Sequence, residues 1–157
     1  MLGTAAFDAK DYKRAFDIFS KLADDDDIAA RRNVALMERR GLGTAKDPEA
    51  AVENYKIAAE AGLPTAAADL GEMLLDGEAG PPDPKAALPW LLVAASANHP
   101  VAQFHLGEMY ENGEAVPKDR FYAILLYSAA AARGYQPAID RLGILKGWDK
   151  STATAGP

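Results

Sequence analysis

The sequence predicts an all-α fold, a right-handed α-α superhelix of stacked antiparallel helix hairpins, on three observations. First, Leu70-Gly71-Glu72-Met73-Leu74 returns almost unchanged as Leu106-Gly107-Glu108-Met109-Tyr110, and the same 36-residue step reaches Val34-Ala35 and Leu142-Gly143. Second, the step also links Ala30, Ala66, Ala102 and Ala138, then Met37, Met73 and Met109, then Asp47, Asp83 and Asp119, without a single insertion. A fixed period of this length marks an array whose units bury their apolar faces only against neighbours. Third, Gly41, Gly77 and Gly113 fall where a helix needs a left-handed closing residue, and Gly62, Asn98 and Gly134 close a second helix in each unit.

The elements follow in order. Residues 2–26 form a partial unit, a hairpin with a tight turn in FDAKDYKRAFDIF, because Asp11 follows Leu2 by 9 residues where Asp47 follows Val34 by 13. Its first helix starts about half a helix late, which implies upstream sequence, an excised export signal or another domain. Full units span 28–63, 64–99 and 100–135. In each, helix A carries Ala, Leu-Gly and Met at helical spacing. A loop such as DGEAGPPDP or NGEAVPKD follows, and helix B begins at an Asp that can accept from free backbone N–H groups, with Pro next in two cases. Small residues on helix B (Ala51, Ala58, Ala87, Ala94, Ala123, Ala130) flank one large residue (Tyr55, Leu91, Tyr127), so the helices can approach closely. Pro89, inside a helix B, is expected to bend it near Trp90. Residues 136–150 supply a final capping helix, and 151–157 read as a disordered tail. One repeat domain over 1–150 is expected.

Composition narrows the function. A formal charge of −6 offers no basic surplus for phosphates, so nucleic acid is not an expected partner. No apolar run reaches the roughly 18 residues that span a bilayer. With no cysteine and two histidines, there is no thiolate metal site and no thiol nucleophile. His105 reads as a packing residue and His99 as a surface turn residue. Asp24 to Asp27 lack the alternating ligands, Gly and distal Glu of a calcium loop and read as a solvated helix end. Neither a catalytic residue, a cofactor nor a metal is expected.

The series Ala-x-x-x-Leu-Gly-x-Met-Tyr, Asn-Gly-Glu-x-Val-Pro-x-Asp and a helix B with paired alanines and a closing Gly, complete in residues 100–135, closely resembles the Sel-1-like repeat. That repeat is a branch of the tetratricopeptide superfamily with a longer loop, and the resemblance extends over about residues 2 to 150. Glu38 departs from it by replacing the usual aromatic of helix A. The resemblance implies a bacterial, non-catalytic scaffold or adaptor that binds another protein or peptide. Family members are often exported, and with the late start of the first helix this points to the periplasm, the cytoplasm being the alternative. Cysteine-rich relatives are associated with penicillin binding and β-lactam hydrolysis. A cell-wall-related hydrolase is therefore the enzymatic alternative, and a module that self-associates through exposed repeat ends is the structural one.

On helix A, positions −4, 0, +3 and +4 about the Leu of Leu-Gly share one face, and −5, −2, +2, +5 and +6 share the opposite one. In the superfamily the second face lines the concave surface, which makes it the expected partner site: Arg32, Arg39 and Arg40, then Glu72 and Asp76, then Phe104, Glu108 and Asn112. A basic end would pass into an acidic floor, with Phe104 as an aromatic anchor and Trp148 as a second.

Overall fold

The computed structural model describes residues 2–153, with side chains described through Leu145. Every element in that range is helical: α1 (Leu2–Asp8), α2 (Tyr12–Asp24), α3 (Ile28–Arg40), α4 (Pro48–Glu60), α5 (Pro64–Asp76), α6 (Pro84–Ser96), α7 (Pro100–Asn112), α8 (Arg120–Ala131) and α9 (Gln136–Ala153). Contact density divides the chain into two compact units, Met1–Asp83 and Pro84–Pro157, and the division falls inside the loop of the 64–99 repeat.

In the first unit each helix from α1 to α5 packs on the next. Its centre holds Ala15, Phe19, Ala30, Met37, Ala51, Tyr55, Ala58, Ala66, Leu70 and Met73, all at or below 2% exposure. In the second, α6 packs on α7, α7 on α8 and α8 on α9, around Leu91, Ala94, Ala102, Leu106, Met109, Ala123, Tyr127, Ala130 and Ala138. These are the positions that the 36-residue step joins. The period is therefore the core itself, copied.

The joints repeat as well. Gly41, Gly77 and Gly113 end α3, α5 and α7 in the left-handed region, at φ 68°, 68° and 78°. The next N–H turns back to the methionine carbonyl five residues earlier: Leu42 to Met37 at 2.9 Å, Glu78 to Met73 at 3.2 Å and Glu114 to Met109 at 2.9 Å. Each loop then closes on the main chain. The Asp47, Asp83 and Asp119 N–H groups donate to the carbonyls of Glu38, Leu74 and Tyr110 at 2.9, 2.8 and 2.8 Å. The Asp47 and Asp119 carboxylates cap α4 and α8 by accepting from the Ala50 and Tyr122 N–H groups at 3.0 and 2.9 Å.

Some expectations are refined. Asp26, one period before Gly62, also has a positive φ of 63°, so the left-handed row runs Asp26, Gly62, Asn98, Gly134. Within the acidic run, Asp27 caps α3 by accepting from the Ala30 N–H at 2.8 Å. Helix α6 runs unbroken through Pro89, which lies on its exposed side. The expected disordered tail is corrected at residues 151–153, which are helical and continue α9; residues 154–157 lie outside the described residues.

Candidate partner-binding surface

The Leu-Gly phrase has a steric cause. A Cβ on Gly107 would stand 2.6 Å from the Tyr127 ring, and one on Gly3 would stand 2.7 Å from the Phe19 ring. In these two hairpins helix A presents a bare backbone to one large side chain of its own helix B, at a distance that alanine would not allow, whereas the 28–63 unit holds a fully buried Ala35 at the same register position.

With that face committed to packing, the opposite stripe of α3 and α5 holds the first five predicted residues. Arg32 Nε donates to Asp69 Oδ2 at 2.7 Å. Arg39, 15% exposed at its side chain, donates to Glu72 Oε2 at 2.8 Å and through Nε to both Glu78 oxygens at 2.9 and 3.0 Å, with a further very short contact from Nη2 to Glu78. The Glu78 carboxylate, with Glu72 behind it, holds the Arg39 pKa above the ordinary arginine value against the opposing effect of burial. The structure therefore brings Arg39 and Glu72 together and joins both to Glu78. The basic end of the stripe is thus tied to acidic groups, Arg32 to Asp69 and Arg39 to Glu72 and Glu78, through charge-assisted hydrogen bonds. Arg40 and Asp76 remain exposed.

In the second unit, Phe104 is half-buried in a ring cluster, 5.5 Å from Tyr127, 5.4 Å from Tyr135 and 5.7 Å from His105 between centroids. Phe104 therefore packs laterally against its neighbouring rings while part of it stays exposed. Glu108 Oε2 lies 3.0 Å from His105 Nδ1, and Asn112 is exposed. The side chain of Trp148 lies outside the described residues.

The sequence reading missed the partners of the stripe. Besides Asp69 and Glu78, it passed over the link between Glu111 and Arg141. Glu111 Oε2 accepts from the Tyr127 hydroxyl at 2.7 Å and from Arg141 Nε at 3.0 Å, with a second, shorter contact from Arg141 Nη2 to Oε1. Burial works against the charged carboxylate, but Arg141, the Tyr127 hydroxyl and the nearby Arg120 outweigh it and hold the Glu111 pKa below the usual range. Arg39 and Glu111 occupy one register position, two periods apart. These two units thus fasten that position to the following helix A, with the sign of the charge reversed.

In place of the aromatic, Glu38 accepts from Asn54 Nδ2 at 2.9 Å, and Asn54 Oδ1 accepts from Arg31 at 3.2 Å. The equivalent Tyr110 packs edge-on against Tyr122 with centroids 4.7 Å apart. A polar bridge and an aromatic pair fill the same slot. Among the described residues, no helix is long and apolar enough to cross a membrane.

Comparison with known proteins places these features. The Sel1 repeat family matches four segments, residues 5–27, 28–63, 64–99 and 100–135. Comparison with curated proteins returned no match. Among solved structures, a Sel1 repeat protein from Oxalobacter formigenes is 32% identical with a TM-score of 0.84, over 90% of this chain and 58% of its own. The antigen c5321 of uropathogenic Escherichia coli, described as protective and as displaying an SLR fold, is 29% identical with a TM-score of 0.81, over 85% of this chain and 29% of its own. The immunity protein Pa5087 of Pseudomonas aeruginosa is 30% identical with a TM-score of 0.58, over 81% of this chain and 48% of its own. The chain thus spans well under two thirds of these proteins' lengths. Four matched repeats, one shared register of core residues and one shared set of backbone joints lead to a single assignment: the chain belongs to the Sel1 repeat family.

Proposed function

We propose that the chain is a non-catalytic scaffold that binds a partner protein or peptide on the stripe of its A helices expected to line the concave surface. Sel1 repeat proteins generally mediate protein–protein interaction, and one row of residues supports that reading for this chain. Arg40, Asp76 and Asn112 are one period apart, each immediately before the closing glycine of its helix, and all three are exposed. The residues that build the helix pair are nearly constant from unit to unit. At this position the chain instead carries a cation, an anion and an amide. An exposed position whose chemistry changes from unit to unit is suited to selective recognition, since charges of complementary order set register and exclude wrong partners. Glu108, whose side chain is 44% exposed, adds a second acidic contact.

The test is affinity capture with the natural chain, with Arg40→Glu/Asp76→Lys and with Asn112→Lys, bound proteins being quantified by mass spectrometry. None of these side chains is buried, so the variants are expected to fold. One protein retained by the natural chain and reduced at least about tenfold by Arg40→Glu/Asp76→Lys supports the stripe. A partner held equally by all three overturns it.

A further inference from the structure

Helix α3 packs on α2 and α4, and α7 packs on α6 and α8, so each of these A helices lies between two B helices. Arg31 touches both of its neighbours, donating to the Ala23 carbonyl on α2 at 2.6 Å and to Asn54 on α4 at 3.2 Å. Helix α9 keeps the register of an A helix and uses one side in the same way. Its Ala138, Leu142 and Leu145 pack with Ala123, Tyr127 and Ala130 of α8. Among the described residues no second B helix follows.

Two register positions record the difference. Gln103 is 5% exposed, and its counterpart Ile139 is 41% exposed. Ala35 is 0% exposed and Gly107 is buried under the Tyr127 ring, whereas Gly143 is exposed and a Cβ there would meet nothing within 4 Å. Ile139 and Gly143 are four residues apart and share one face of the helix. That face continues the helix A to helix B interface of the hairpins before it, with the bare backbone against which Phe19 and Tyr127 close on Gly3 and Gly107.

The interface also defines its occupant. Each described B helix brings one large residue with an alanine four positions earlier: Ala15 and Phe19, Ala51 and Tyr55, Ala87 and Leu91, Ala123 and Tyr127. Phe19 is 2% exposed and the other three large residues 0%, all buried within the fold, so a second folded copy has no such side chain to offer. We propose that this face of α9 binds an amphipathic helix of a different polypeptide, with a large apolar or aromatic side chain set against Gly143 and its flank against Ile139. Recognition of this kind lays the apolar face of a helix into a groove. It uses other register positions than Arg40, Asp76 and Asn112, so either reading can fail alone.

The test titrates the methyl-labelled full chain with a peptide of residues 47–62, which carries its own Asp47 cap, Pro48 at the helix start, and Ala51 and Tyr55 at the required spacing. Short helices are marginal alone in water, so a saturable shift of Ile139 with a Kd on the order of 0.1 to 1 mM is expected. The same peptide carrying Tyr55→Ser should bind at least about fivefold more weakly. In the chain, Gly143→Ala adds a methyl that meets nothing in the fold but stands where the incoming side chain must pack, and it should weaken the natural peptide by at least about fivefold. Ile139→Glu should do the same. Failure to saturate, equal binding of the Tyr55→Ser peptide, or unchanged affinity in Gly143→Ala overturns the proposal. Sedimentation of the chain alone checks the rival occupant: dimers that form with concentration and are abolished by Gly143→Ala would assign the face to a second copy and overturn it as well.

Discussion

The Tyr127 hydroxyl donates to Glu111 at 2.7 Å, and Arg141 donates to the same carboxylate. Two helices of one hairpin and the helix that follows are thus joined at a single group. Two periods earlier Tyr55 and Arg39 hold the equivalent positions, and between them the pair is Leu91 and Leu75. At this pair of positions a helix-B tyrosine accompanies a charged helix-A residue, and Leu91 accompanies Leu75. The two tyrosines are nonetheless unequal, because the Tyr55 hydroxyl is buried with no hydrogen-bond partner among the described residues.

Phenylalanine substitution should separate them. Tyr127→Phe removes a bond to a charged group and is expected to cost about 1–2 kcal/mol. Tyr55→Phe removes a buried hydroxyl that makes no such bond and should stay within about 0.5 kcal/mol of the natural chain, or stabilise it slightly. Urea unfolding of both variants checks this, and equal losses would refute the distinction.

Gly107→Ala and Gly143→Ala occupy one register position and should have opposite effects. The first places a methyl 2.6 Å from a ring that is fully buried and pinned through its hydroxyl, so a loss of about 1–3 kcal/mol is expected. The second meets nothing within 4 Å, and the better helix propensity of alanine should add roughly 0.5–1 kcal/mol. Thermal melts of the two single variants are sufficient.

Removal of Arg39 takes from Glu72 and Glu78, 32% and 27% exposed at their side chains, the guanidinium that both of them bind. Arg39→Ala should therefore cost about 1–3 kcal/mol, the partial exposure keeping it below the range for a fully buried pair. Arg39→Ala/Glu78→Ala should recover part of that loss. A double variant as unstable as the sum of its singles would show that the pair is not coupled.

Two carboxylates should give opposite pH dependence. Glu111 has a folded-state pKa below its unfolded value of about 4.5, so its stabilisation is full above that pH and is lost as pH falls through the lower, folded value. Glu38 is raised from the same value, first by burial and then by Asp47, against the lowering effect of Asn54. Its charged form opposes folding at neutral pH, and that cost disappears as pH falls through the raised pKa and below 4.5. Glu111→Gln should thus be less stable than the natural chain at pH 7 and Glu38→Gln more stable, with both differences shrinking toward acid. Chemical denaturation at pH 7 and at about pH 3 measures each.

The fold was legible because its information is local and repeated. Gly41, Gly77 and Gly113 announce left-handed helix ends by residue type, and the buried alanines and leucines announce a face by spacing. Asp26 went unread as a left-handed residue because aspartate tolerates that conformation without advertising it. The stripe was only half legible. A helical wheel shows that Arg39 leaves the packed face but not that it reaches Glu78, 39 residues on. Nor could it show that Phe104 is held by Tyr127 and Tyr135. Long side chains choose partners across helices, and that choice depends on distances that no single-helix pattern contains.

The loop closures bear on how such a chain grows. The Asp47, Asp83 and Asp119 amides all return to main-chain carbonyls, so these closures ask nothing of the side chains around them. A duplicated stretch of 36 residues would arrive with working hinges at both ends and would fit wherever it was inserted. The loop side chains, freed from holding the turn, are then open to change without loss of the closure. Architecture of this kind is inherited as interchangeable parts.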